Sequence, residues 1–127
     1  MKKGQGAIEF IIITGIALSF VVLIMASVKM SQDEKIRDKE NQEIKKIARN
    51  VKEEIQVASQ TLNGYRREFN VPKRVMGNNY TIEIIENNLQ IIAKENSLSL
   101  GIKQVNGEIK KGTNVIERKN GEIYLNE

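Results

Sequence analysis

From Phe10 to Val28 the chain carries no charged side chain, and this run limits what the rest of the polypeptide can become. As a helix it spans roughly 28 Å, close to the hydrocarbon thickness of a bilayer. Such a segment belongs in lipid, or in an environment that replaces lipid. A secretory signal peptide would place its small-residue cleavage site after the apolar stretch. Here the small residues come first. Lys2 and Lys3 precede Gly4, Gln5 and Gly6, and one carboxylate, Glu9, stands at the threshold of the run. A carboxylate carried to the bilayer centre costs on the order of a few kcal/mol, so Glu9 needs a counter-charge.

The basic pair, Gly4, Gln5, the offset Glu9 and the uninterrupted apolar run together resemble the class III signal peptide of archaeal type IV pilin-like proteins. The resemblance implies that a prepilin peptidase cuts between Gly4 and Gln5, recognising Lys2, Lys3, Gly4 and Gln5. Glu9 then occupies the fifth mature position, where it sets the register of one subunit against the next. Elementary geometry agrees. Cleavage exposes an amine at Gln5, four residues before Glu9, and positions i and i+4 share a helix face. In a low-dielectric setting that amine could neutralise the carboxylate. The competing expectation is an uncleaved signal-anchor whose carboxylate snorkels to the interface. Gly15 and Ser19, four apart, permit close helix approach in either case.

Composition narrows the function classes. The 20 basic and 16 acidic residues leave a net charge of +4, half of which Lys2 and Lys3 supply, and no nucleic-acid-binding motif is present. Histidine and cysteine are absent, which removes the commonest general base, the commonest metal ligand and any thiolate chemistry. No phosphate loop, zinc spacing, calcium loop or nucleophile elbow occurs. The expectation is a protein that is not an enzyme, with no catalytic, cofactor-binding or metal-binding residues and no small-molecule substrate. Charge counting around the apolar run is less clear. Lys29, Lys35, Arg37, Lys39, Lys45 and Lys46 follow it, which by the positive-inside rule favours a cytoplasmic body. The leader motif, read by a peptidase at the cytoplasmic face, argues the opposite, and acidic residues interleave with the six.

Beyond Val28, residues 29–40 are almost entirely polar, rich in helix formers and free of Gly and Pro, so the helix is expected to continue. From Ile44 an apolar stripe returns through Ile47, Ala48, Val51, Ile55, Ala58 and Leu62 at steps of three and four. Asn63-Gly64 supplies a stop. The remainder alternates like strands. Tyr80, Ile82 and Ile84 lead to a turn expected at Asn87-Asn88, then to Leu89, Ile91 and Ala93, and then to Leu98, Leu100 and Ile102. Asn106-Gly107 and Asn120-Gly121 are both read as type I′ hairpins, with short strands near 108–110, 115–118 and 122–125. Tyr65 to Pro72 reads as a lead-in or edge strand.

The expected organisation is a leader over 1–4, a transmembrane or filament-core helix over 5–28, its extension over 29–62 and a β head over 63–127. The fold class is α+β, a long N-terminal helix whose C-terminal half packs on a small antiparallel sheet, anticipated as a single meander with one apolar face. Asn79-Tyr80-Thr81 is a formal N-glycosylation triplet. The resemblance implies a single-pass membrane protein with an extracellular head that becomes a pilin-like subunit of a cell-surface filament. Its partners would be the membrane, the peptidase, and copies of itself or other pilin-like subunits. The alternative is a membrane-anchored surface binding module or a minor pilin.

Overall fold

The computed structural model describes residues 2–127. One helix, α1 (Lys2–Gln60), is followed by β1 (Arg66–Val71), β2 (Thr81–Ile85), β3 (Asn88–Ile92), β4 (Ser97–Gly101), β5 (Asn106–Gly107), β6 (Gly112–Lys119) and β7 (Glu122–Leu125). The chain divides into two compact units, Met1–Ile36 and Arg37–Glu127. The fold is α+β, as the alternation of periods requires.

In the second unit the helical stripe is the floor of the core. Ile44, Ile47, Ala48, Val51, Ile55 and Ala58 are all buried, which is the face their spacing defines. Leu62 lies two residues past the helix and is exposed. At the end of the helix the last carbonyls find a partner from the sheet. Arg118 in β6 donates from Nη1 to the oxygens of Ala58, Ser59 and Thr61, satisfying acceptors that the helix itself cannot. Gly64, with φ +93°, then turns the chain into β1.

The strands form two sheets and not the single meander anticipated. β2, β3 and β4 make a three-stranded antiparallel sheet, while β1, β6, β7 and β5 make a four-stranded one in that order. Leu89, Ile91, Ile116, Ile123 and Leu125 from both sheets join the helical stripe in one cluster. Strand order escapes periodicity because alternation reports a face, not a neighbour.

Two turns differ from expectation. The β2–β3 hairpin turns at Glu86-Asn87, one residue early, so Ile82 pairs with Ile91 and Ile84 with Leu89. A turn at Asn87-Asn88 would have set Ile82 against the smaller Ala93, burying less apolar surface. The turn leaves Glu86 at φ +55°, a conformation a non-glycine residue adopts at some cost. Asn106-Gly107 is no hairpin at all. It forms β5, pairing in parallel with Tyr124 and Leu125 of β7, and residues 108–110 are not a strand. Asn120-Gly121 does join β6 to β7 in the expected way, with φ +53° and +81°.

Tyr80 closes the core beneath the loop before β2. It is buried and donates its hydroxyl to the Pro72 carbonyl. Burial pushes its pKa from the ordinary 10.0 up to about 12. Between those values the unfolded chain releases this proton while the folded chain keeps it, so stability contributed by Tyr80 is intact below pH 10 and declines as pH rises towards 12. Denaturant midpoints measured across this window are expected to fall more steeply for the wild type than for Tyr80→Phe. Equal slopes would remove Tyr80 from the alkaline transition.

Candidate functional site

The segment singled out by its motif lies in the first turns of α1. Lys2, Lys3, Gly4, Gln5 and Glu9 are all helical and exposed, so the Gly4–Gln5 bond sits inside regular helix. A protease that binds an extended substrate must unwind this turn. The sequence makes that easy, because an interior glycine lowers helix stability by roughly 1 kcal/mol relative to alanine, and Gly4 and Gly6 flank Gln5.

Neither glycine is required by packing. A Cβ built on Gly4 or Gly6 meets nothing within 4 Å. Gly4 also has no left-handed backbone angle that would demand glycine.

Gln5 and Glu9 meet as their spacing requires. The Gln5 carboxamide donates from Nε2 to Glu9 Oε1 at 3.3 Å. Among the described residues the ion pairs are Arg37 with Glu95 and Arg67 with Glu54, so Glu9 has no cation of its own. A carboxylate beside an apolar run, held only by a neutral amide, is placed to accept an ammonium.

Downstream, every large hydrophobic side chain from Phe10 to Val28 is open to the surroundings, from 48% at Val21 to 70% at Phe10. The two serine hydroxyls in this run are satisfied within the helix. Ser19 donates to Gly15 O at 2.8 Å and Ser27 to Leu23 O at 3.0 Å, which suits a setting without water. The helix is long and apolar enough to cross a membrane.

The head places its polar groups differently. Its most buried acid is Glu40, 2% exposed, whose Oε1 accepts from the backbone N–H groups of Glu95 and Asn96 at 2.9 Å each and from Asn96 Nδ2 at 3.2 Å. This carboxylate clamps the turn between β3 and β4 to the helix. Sequence reading missed it, although the signal exists: Glu40 precedes Ile44 by four residues and so extends the buried stripe upstream by one turn. Asn114, fully buried in β6, was missed as well. Its carboxamide bridges the Lys110 and Gly112 backbone and Asn126.

The hollow between the end of α1 and β7 is lined by Ser59, Lys103, Asn106, Arg118 and Glu122, among others. Its charged groups are each engaged by a neutral partner. Lys103 donates to Ser59 Oγ at 3.1 Å, Asn106 to Glu122 at 3.1 Å, and Arg118 to the helix carbonyls. Among the described residues no group of three or more His, Cys, Asp or Glu side chains is placed to hold a metal ion. Asn79 is exposed, just ahead of β2. No protein-family model, curated protein or solved structure matches the chain. The first nine residues and the apolar run therefore carry its functional interpretation alone.

Proposed function

We propose that the chain is a structural subunit of a surface filament, similar to the archaeal type IV pilin-like proteins its N-terminus resembles. A prepilin peptidase removes residues 1–4, and the mature protein begins at Gln5. The apolar helix is held first in the membrane as a single span, with the head outside the cell. It leaves lipid only when sister helices take the place of the acyl chains, because exposure of this surface to water is strongly unfavourable. The new amine at Gln5 and the Glu9 carboxylate neutralise each other within or between subunits and fix the stagger. The role is structural and not catalytic.

One observation carries this reading. The large apolar side chains from Phe10 to Val28 are all uncovered within the chain. A surface of that kind needs lipid or like helices around it.

The test separates processing from folding. Gly4→Val is expected to leave the head as stable as the wild type, because the site is open, and to abolish removal of the leader, giving an intact mass that retains Lys2 and Lys3. Wild-type processing of Gly4→Val would refute the peptidase assignment. An intact leader in the wild type would favour a permanent anchor carrying a surface binding module.

A further inference from the structure

We propose that Asn79 is the acceptor of an N-linked oligosaccharide, delivered from a polyprenyl phosphate- or pyrophosphate-linked donor. The proposal rests on the extracellular placement of the head argued above. Asn79-Tyr80-Thr81 is the sole Asn-X-Ser/Thr triplet in the chain, and its surroundings fit the chemistry. Asn79 and Thr81 are exposed while Tyr80 between them is 4% exposed. The alternation puts the acceptor carboxamide and the hydroxyl two residues on together at the surface. The strip is held from beneath by Tyr80, whose hydroxyl bonds the Pro72 carbonyl and whose own carbonyl accepts from Lys111 Nζ at 2.9 Å.

The Asn79 carboxamide is also uncommitted. Asn63, Asn78, Asn96, Asn106, Asn114 and Asn126 all spend theirs on hydrogen bonds that shape turns or bury polar groups. Asn79 makes none among the described residues, so a substituent on its nitrogen breaks nothing. The Val75–Asn78 bridge, with N–H to oxygen distances of 3.0 and 2.9 Å, fixes the backbone just ahead of it. Asn79 and Thr81 share a shallow hollow with Ile92, Lys94 and Lys111. Ile92, 48% exposed and paired across the sheet with Thr81, offers an apolar surface on which the first sugar ring can lie.

Transfer forms a bond from Asn79 Nδ2 to the anomeric carbon of the first sugar and breaks the bond from that carbon to phosphate oxygen. The lipid phosphate or pyrophosphate leaves, and one amide proton passes to a base on the transferase. The Thr81 hydroxyl is the second recognition element.

The experiment is tandem mass spectrometry of a tryptic digest of the full chain, purified from the cells that make it. The peptide of residues 75–94 is expected to carry an oligosaccharide mass increment, with Asn79→Gln and Thr81→Val abolishing it and Thr81→Ser keeping it. All three variants alter exposed side chains, and thermal unfolding of each is expected to match the wild type. An unmodified 75–94 peptide in a digest whose N-terminal peptide begins at Gln5 overturns the glycan proposal and leaves the filament proposal standing. An N-terminal peptide that begins at Gly4, the tryptic product of an intact leader, counts against the filament proposal, while the 75–94 mass still decides the glycan. An increment that survives Asn79→Gln also overturns the assignment.

Discussion

Glu40→Ala is expected to destabilise the head by about 3 kcal/mol, the range for stripping the charged partner from buried donors. The carboxylate accepts two backbone N–H groups and one carboxamide proton through a single oxygen, and alanine leaves those donors without their acceptor. Around it the Arg37 carbonyl accepts from Asn96 at 3.0 Å and the Ala93 N–H donates to Asn96 O at 2.8 Å, so the β3–β4 turn and the first helical turn of the head loosen together. Glu40→Gln keeps the shape and an acceptor oxygen but loses the charge, and should cost nearer 1 kcal/mol. Urea unfolding of the two variants against the wild type measures both. Equal losses for Ala and Gln would show that volume, and not the carboxylate's acceptor role, holds the turn.

Gly107→Ala is expected to be comparably damaging, at about 2–3 kcal/mol. Gly107 has φ +96°, and a Cβ there would fall 2.0 Å from the Leu125 carbonyl oxygen, a backbone atom that can retreat only if β5 and β7 separate. Two costs add, the left-handed conformation and the lost parallel pairing. Gly101→Ala is the control. Its Cβ would meet nothing within 4 Å and its backbone angle is ordinary, so a change within about 0.5 kcal/mol is expected. If the two alanine variants unfold at the same denaturant concentration, the close approach of Gly107 to β7 is not a constraint on the fold.

These sites show what the sequence could express and what it could not. The stripe from Ile44 to Ala58 was legible because a helix converts spacing directly into a face, and each of its residues is buried. Asn120-Gly121 was legible because the two positive backbone angles of the turn are a local demand that Asn and Gly meet. The same dipeptide at 106–107 misled for a related reason. Gly107 does adopt a positive angle, but its partner is β7, supplied by a strand that follows in the chain. Local residue type cannot report that choice. Glu40 and Asn114 were hidden because a polar residue on a buried face reads as solvated until its donors, 55 and 56 residues away for Glu40, are folded against it.

The candidate processing site was legible as a pattern because it is contiguous. The Gln5–Glu9 contact at 3.3 Å follows from their four-residue spacing, whereas the openness around Gly4 was not supplied by the sequence.

The most direct measurement is the intact mass of the chain recovered from material sheared off the cell surface. The proposed function predicts filaments whose subunit begins at Gln5, lacking Met1 to Gly4. A chain found only in detergent extracts of the membrane, monomeric and with Lys2 and Lys3 still attached, would contradict it.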